Sequence, residues 1–353
     1  MLLPTTYQAE LLLLIISMVC WGSWANAQKL TGKWRFELFY FDYALGVVIC
    51  ALVAAYTLGS ANSADLTFTD NLLIAGRRKM AYGVAGGAVF NLANMVLVAA
   101  LSVSGMAVAF PIAFGLALVI GVVRNYLVNP QGNVMLLFGG AVLVAVAIVV
   151  DAFAYSGYID SQLSASKALP KFDSRTRKLI KPLTAARGIV LSLLSGIFMG
   201  LFYPLVEMGK SGDDGVGPYG IAVMFAAGVL ITTVLYAPFF ATFPVAGKPI
   251  ELHKYFTGTK KQHLLGLAGG VIWAAGAIAS FVAASAPPPV QVGTAIGYAL
   301  GQGAALVSAL WGLIVWREFK GADHRTRRLL AMMIALFLAG LGMVSIAPLY
   351  ASK

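Results

Sequence analysis

The sequence predicts an all-α integral membrane protein of ten transmembrane helices, arranged as two inverted repeats of five. Three observations predict it. First, 59% of the 353 residues are hydrophobic, only 11% are charged and mean hydropathy is +0.83. An ordinary soluble domain carries about 25% charged residues. This chain cannot cover a water-facing surface with ionic groups, which excludes a soluble enzyme, a secreted disulfide scaffold and a disordered protein. Second, a bilayer core of about 30 Å needs roughly 20 apolar residues as a helix, and ten such runs occur. Third, a glycine-rich segment recurs at the same place in each half of the chain.

The runs lie at 8–28, 39–58, 81–102, 106–127, 133–152, 188–207, 218–241, 263–285, 290–315 and 329–350. The first contains Ala25-Asn26-Ala27, which resembles a signal-peptidase site. No Lys or Arg precedes its apolar stretch, as it would in a signal peptide, so the run is read as a retained span. The third and fourth runs are joined only by Ser102 to Gly105, and the eighth and ninth by Ala286-Pro287-Pro288-Pro289. The longest connector, 153–187, is polar and basic. It separates a first repeat at 1–152 from a second at 188–353. Pro111, Pro204 and Pro287 to Pro289 are plausible bending points. Cys20 and Cys50 sit in apolar runs and make neither a disulfide framework nor a zinc site.

Charge sets the expected orientation. Ten spans put both termini on one side, with Arg77, Arg78, Lys79, Arg124, Lys210 and Lys353. The other 19 of the 25 basic residues fall in the alternate loops: 28–38, the central connector, 242–262 and 316–328. Positive loops stay in the cytoplasm, so both termini are expected outside. The net charge of +11 is thereby assigned to loops at a membrane and not to nucleic acid. Arg175, Arg177 and Lys178 could also touch anionic headgroups.

The repeat is carried by Gly83-Val84-Ala85-Gly86-Gly87, opening the third span, and Gly266-Leu267-Ala268-Gly269-Gly270, opening the eighth. The offset of 183 carries Phe90 onto Trp273, Asn94 onto Ala277 and Ser102 onto Ser285. Two halves with an odd number of spans each are inverted relative to each other. Inverted repeats are a usual build of secondary transporters, with the solute near the midplane. The plainer reading is that small residues recur wherever membrane helices pack closely.

Polar groups inside spans are the candidate site, because hydrocarbon offers them no partner. Ser17, Trp21, Trp24 and Gln28 follow one helical face of the first span. Asn91 and Asn94 are neighbours in the third. Gln291, Thr294, Tyr298 and Gln302 follow a face of the ninth, and Tyr203 and Glu207 lie together in the sixth, on either side of Pro204. With Trp273, the amides, hydroxyls and indoles of Trp21, Trp24, Asn91, Asn94, Tyr298 and Gln302 suit a small neutral solute that hydrogen-bonds and stacks a ring. The alternative is that the amides bond helix to helix and the indoles mark a membrane interface.

Among acidic residues, Asp42, Asp151 and Glu207 lie at span ends and read first as charges reaching water. Glu207 is the candidate if one couples protons, since desolvation favours a neutral carboxyl. His253, His263 and His324 fall in or beside loops. The chain has no His-Glu-x-x-His helix and no Gly-x-x-x-x-Gly-Lys-[Ser/Thr] phosphate loop, so neither a metalloprotease nor an ATP-driven pump is expected, and no cofactor is expected.

Cys20-Trp21-Gly22-Ser23-Trp24-Ala25-Asn26-Ala27-Gln28-Lys29 resembles the first-span Trp-Gly-[Ser/Thr]-Trp motif of the ureide permeases. Phe41-Asp42-Tyr43 resembles their second-span Asp-Tyr pair, and Ala85-Gly86-Gly87 with Asn91 and Asn94 resembles their third span. The resemblance extends along the chain in span count, with its specific motifs in the first 100 residues. It implies the drug/metabolite transporter fold, beside the bacterial glucose-uptake and L-rhamnose–proton permeases, with alternating access and proton-driven uptake. Plant members carry allantoin, uracil and related oxo-heterocycles, and have a phosphate-loop-like motif in the central loop. This chain has no such motif and a short loop, which points to a bacterial relative in the inner membrane. The expected function is proton-coupled secondary transport of a small polar neutral metabolite, ureide or nucleobase-like. A sugar permease and a metabolite exporter are alternatives on the same fold; a membrane enzyme or partner subunit is the alternative outside transport. Solute, protons and lipid are the expected partners, and the sequence does not set the oligomeric state.

Overall fold

The computed structural model describes residues 1–61, 66–128, 133–168, 183–245, 248–287 and 300–350. All regular structure among them is helical: α1 (Tyr7–Ser23), α2 (Ala25–Leu30), α3 (Phe36–Tyr56), α4 (Phe68–Ile74), α5 (Arg77–Ser104), α6 (Met106–Val128), α7 (Val134–Ala168), α8 (Leu183–Lys210), α9 (Pro218–Thr242), α10 (Lys260–Ala283), α11 (Ala304–Leu310) and α12 (His324–Ile346), with short tight turns between some of them. Nine helical segments among the described residues are long and apolar enough to cross a membrane. Large apolar side chains such as Leu12, Val53, Val142, Phe153, Val234 and Leu235 are exposed on them. That surface suits lipid, because a helix satisfies its own backbone polar groups and can turn apolar side chains outward.

The segments follow the expected runs with three differences. The first run is jointed: α1 ends at Ser23 and α2 begins at Ala25, and the two together make one candidate span, Tyr7–Leu30. In the fifth, the helix continues to Ala168, well past residue 152, because residues 153–168 contain no proline and only one glycine to interrupt it. In the ninth, residues 288–299 lie outside the described residues. The described remainder, Leu300–Val315, is a shorter apolar helix. Several helix starts carry ordinary start signals. The hydroxyl of Thr6 accepts from the Ala9 amide, Thr259 forms a capping box with Gln262, and Pro218 opens α9.

The chain forms two compact units: Met1–Met95 with Phe198–Ala304, and Val96–Ile197 with Ala305–Lys353. Each draws on both halves of the sequence. In the first unit, glycines allow two helix pairs to touch backbone to backbone. A Cβ at Gly46 of α3 would run into the Leu267 carbonyl of α10, and one at Gly270 into the Tyr43 carbonyl. A Cβ at Gly228 of α9 would meet the Val84 carbonyl of α5, and one at Gly87 the Phe225 carbonyl. Gly266 faces Asp42, with 2.5 Å left to its Cβ, and Gly83 faces Met224, with 2.8 Å. The contacts therefore recur in register: each in the α3–α10 pair has a partner in the α9–α5 pair, 182 or 183 residues away.

The ends of the first unit show which way these helices run. At one end the Arg35 guanidinium donates to the Lys248 carbonyl at 2.9 Å, and Gln262 to the Thr31 carbonyl at 3.4 Å. At the other, the Tyr219 hydroxyl donates to the Leu2 carbonyl at 2.8 Å and the Gly76 amide to the Asp214 carbonyl at 2.9 Å. So α3 and α10 run parallel to each other, and α5 and α9 run parallel in the opposite sense.

In the second unit, α7 and α12 run antiparallel. A Cβ on Gly140 or on Gly340 would meet the other's carbonyl at 2.6 Å, and the Asn133 amide donates to the Ala347 carbonyl at 2.9 Å. The turn between α5 and α6 needs positive φ, supplied by Gly105 at +83°. The Glu318 carboxylate caps α6 by accepting from the Met106 and Ala107 amides at 2.9 and 2.8 Å, which suits the positive end of that helix.

Candidate functional site

The buried heart of the first unit is aromatic and amide-rich, and much of it is built from residues singled out in the sequence. Trp21, on the last turn of α1, is 8% exposed and stacks on Trp273 of α10, with ring centroids 6.1 Å apart. Gly276 lies under the Trp21 ring and lets α1 approach α10. Trp273 also meets Phe90 at 4.1 Å and Phe225 at 5.5 Å. Trp24, at the joint between α1 and α2, is 1% exposed and leans on Tyr43 of α3 at 5.1 Å. The Asn94 amide nitrogen donates to the Tyr43 hydroxyl at 3.0 Å. Phe90 and Asn94 are one helical turn apart on α5, so the Trp21–Trp273–Phe90 and Trp24–Tyr43–Asn94 chains of contact join there.

Several buried polar atoms of this cluster have no hydrogen-bond partner in the described residues. They are Trp21 Nε1, Asn94 Oδ1, Gln302 Oε1, Ser17 Oγ and Asn91 Oδ1. Buried polar atoms are ordinarily satisfied. Donors and acceptors held among aromatic faces are the chemistry that grips a planar, hydrogen-bonding molecule. Gln302 follows Gly301, which lies 3.4 Å from the Trp21 ring at its Cβ position. Tyr298 lies outside the described residues, as do Gln291 and Thr294. A neighbouring crevice, with room for about one water molecule, is lined by Val47, Ala51, Ala222, Phe225, Trp273 and Phe281 among other apolar side chains. Ligand sites include some polar groups, so the polar cluster is the better candidate.

Asn91 is placed differently from Asn94. Its amide nitrogen is engaged with α9: Val229 O at 3.1 Å, Thr232 Oγ1 at 2.9 Å and Thr233 Oγ1 at 3.0 Å. Both threonine hydroxyls donate to their own helix, at Gly228 O and Val229 O, so they face Asn91 as acceptors. The interhelical bonding weighed for the amides is found at Asn91, with its Oδ1 left over.

The acidic residues are distributed otherwise than expected. Glu207 is 47% exposed at its side chain and pairs with Lys210 at 3.3 Å, so the burial on which its proton role was argued is not found. Asp42 and Asp151, read as charges reaching water, are 4% and 0% exposed. Asp42 accepts from the Tyr255 hydroxyl at 2.6 Å, and its other oxygen lies 2.8 Å from His263 Nδ1. The Tyr255 hydroxyl is held well above its ordinary pKa by burial, by its bond to Asp42 and by that carboxylate's charge. Sequence spacing could not bring Asp42 to residues 213 and 221 positions away. The one available sign was an acidic residue inside an apolar run.

No protein-family model matches the chain. It is similar along nearly its whole length to curated plant proteins of Arabidopsis thaliana. It is 23% identical to ureide permease 4, covering 94% of this chain and 95% of that protein. It is 22% identical to ureide permease 1, covering 96% of each, and 21% identical to ureide permease 2, covering 95% of each. With the apolar spans, this likeness supports a multi-pass membrane transporter of small metabolites and not an enzyme.

Proposed function

We propose that the chain is a secondary active transporter that carries a small, polar, neutral, ring-bearing metabolite, ureide or nucleobase-like, by alternating access and with protons as the driving ion. The observation that carries this reading is the set of unpartnered buried polar atoms: Trp21 Nε1 and Asn94 Oδ1 beside the Trp273 and Tyr43 rings, and Gln302 Oε1, next in sequence to the Gly301 that approaches Trp21. The indole N–H can donate to a ring carbonyl and the amide oxygens can accept from ring N–H groups, while the aromatic faces stack the plane. Such a solute needs no charged partner, and the cluster brings none. The proposed contacts are Trp21, Trp24, Asn94, Trp273 and Gln302, with Asn91 through its Oδ1 and Tyr298 from the span that contains Gln302.

The same reading takes the chain as ten spans in two inverted five-helix repeats, 1–152 and 188–353, joined by a cytoplasmic linker. The recurring contacts support it. Two helix pairs of the first unit run in opposite senses and touch through glycines at equivalent places, and Phe90 and Trp273, 183 apart, meet each other. Inversion of the repeats generates this pattern. We place the protein in a bacterial-type inner membrane with both termini outside.

Uptake into proteoliposomes under an imposed inward proton gradient, with labelled allantoin, uracil, glucose and rhamnose as the panel, tests the reading. Accumulation of a heterocycle that collapses with the gradient is the expected result. Preference for glucose or rhamnose overturns the solute class, indifference to the gradient overturns proton coupling, and no transport of any member overturns the panel of solutes.

A further inference from the structure

We propose that Asp42 and His263 form the proton-binding site of the transporter, with Tyr255 as the residue that positions Asp42. The inference rests on the transport reading above and assigns its driving ion to side chains. Three features of the geometry carry it. The Asp42 side chain is 5% exposed and engages both its oxygens, one with Tyr255 and one with His263. His263 is 26% exposed, so the pair joins a buried carboxylate to water through an imidazole. The histidine ring is also held in place. Trp34 meets it edge-on at 4.9 Å and 79°, and Tyr255 at 4.8 Å and 80°. Its Nε2 lies over Gly258, where a Cβ would stand only 2.7 Å away. A side chain at residue 258 would crowd that nitrogen; with Nδ1 taken by Asp42, Nε2 is the nitrogen through which a proton enters or leaves.

The fold does not require this pair. At the equivalent contact of the α9–α5 pair, Gly83 faces Met224 where Gly266 faces Asp42, and the residue 183 before His263 is Met80. Two methionines fill the places that a carboxylate and an imidazole hold here. A buried carboxylate costs desolvation unless it is paired, so an otherwise dispensable pair calls for a use. The site also adjoins the solute cluster. The next residue on α3 is Tyr43, which bonds Asn94 and leans on Trp24.

The surrounding charges leave the pair to respond to protons. Arg35 and Glu37 pair with each other, and Arg35 also donates to the Lys248 carbonyl. Glu251 pairs with His253 at 3.3 Å. Lys33, Lys254, Lys260 and Lys261 are exposed, and Lys29 lies on α2. Helix α9, which also packs on α3, carries only Tyr219 and Tyr236 as titratable groups. One proton converts neutral imidazole and carboxylate into an imidazolium–carboxylate pair, and its loss returns both. Histidine is the side chain suited to such a change. The loaded pair ties the 252–257 turn and the start of α10 to α3 more strongly, since charge-assisted hydrogen bonds are the stronger kind.

Two measurements on the full chain test this. In one, His253 and His324 are replaced by Gln and the remaining histidine is titrated by nitrogen NMR. Asp42→Asn should change the signal of its Nδ1, which faces the Asp42 carboxylate at 2.8 Å, and its response to pH; a response identical to that with Asp42 unsubstituted overturns the shared site. In the other, proteoliposomes are assayed for gradient-driven accumulation and gradient-free exchange of the transported solute. For His263→Gln and Asp42→Asn the ratio of accumulation to exchange should fall tenfold or more, and Tyr255→Phe should lower it less. An unchanged ratio in a folded His263→Gln protein overturns the coupling role. If the wild-type chain carries no solute, the transport reading fails, and with it the coupling role, while the titration separately decides the proton site.

Discussion

Asn91 and Asn94 sit one turn apart on α5, yet their surroundings assign them different work. Asn91 gives its amide nitrogen to three acceptors on α9, whereas Asn94 gives one bond to Tyr43 and keeps a buried Oδ1 among aromatic rings. Asn91→Ala should therefore show mainly as lost stability, about 1–3 kcal/mol, read as a fall in the thermal midpoint in detergent. Asn94→Ala should show mainly as weaker solute binding, roughly tenfold, which is about 1.4 kcal/mol. Equal effects of both on both readouts would erase the distinction. Tyr255 carries a pH consequence. Its folded pKa lies above the unfolded value of about 10. The protonated phenol is thus favoured in the folded state, so its contribution is whole below about pH 10 and is lost as pH rises through the folded value. Tyr255→Phe should flatten the alkaline limb of a stability-against-pH curve; an unaltered limb would show that Tyr255 does not set it. Which of two neighbouring asparagines bonds helix to helix was not legible in the sequence, because spacing reports the face a residue occupies and not the partner opposite.

At the scale of helices, packing in lipid gains little from hydrophobicity and depends on close approach. The glycines at the α3–α10 and α5–α9 crossings are therefore the positions least able to change. Gly270→Ala places a methyl group against the Tyr43 carbonyl, and Gly87→Ala places one against the Phe225 carbonyl. Backbone cannot swing aside as a flexible side chain can, so both variants should lose most of their folded, monodisperse yield. Gly342, on α12, has nothing within 4 Å of its Cβ position. Gly342→Ala should fold normally and gain up to about 1 kcal/mol from helix propensity. Size-exclusion profiles of fluorescently tagged variants decide it, and a Gly270→Ala profile like that of Gly342→Ala would refute the crossing argument. The repeated Gly83–Gly87 and Gly266–Gly270 segments were readable in advance. Their partners Met224, Phe225, Asp42 and Tyr43 were not, since nothing local marks a carbonyl or side chain that a distant glycine will touch. The boundary at Trp24 was hidden for a related reason: the apolar run continues through it.

At the scale of the whole chain, charge and connectivity bear on the same question of sidedness. In the first unit, the hydrogen bonds from Arg35 to the Lys248 carbonyl and from Gln262 to the Thr31 carbonyl bring two connecting segments to one end. Those segments carry Lys29, Lys33, Arg35, Lys248, Lys254, Lys260 and Lys261. The opposite end gathers Arg77, Arg78, Lys79 and Lys210, but with Asp70, Glu207, Asp213 and Asp214 beside them in sequence. Retention in the cytoplasm follows Lys and Arg and not net charge, and the first end carries more of them even without the central connector. On the proposed ten spans, the C-terminus then lies on the other side. A cytoplasm-only reporter fused after Lys353 should stay silent. In the same cells, a cysteine replacing Lys254 should react with a membrane-impermeant thiol reagent only after the membrane is opened, and one replacing Asp213 should react in intact cells. Both cysteines belong to the first unit, so they test its orientation directly, while the reporter tests the span count. Reversed labelling would invert the protein and put the Asp42–His263 pair at the outer mouth, where an inward proton gradient would load it first. Correct labelling with an active reporter would leave the orientation intact and remove one span, most directly the one that contains Gln302.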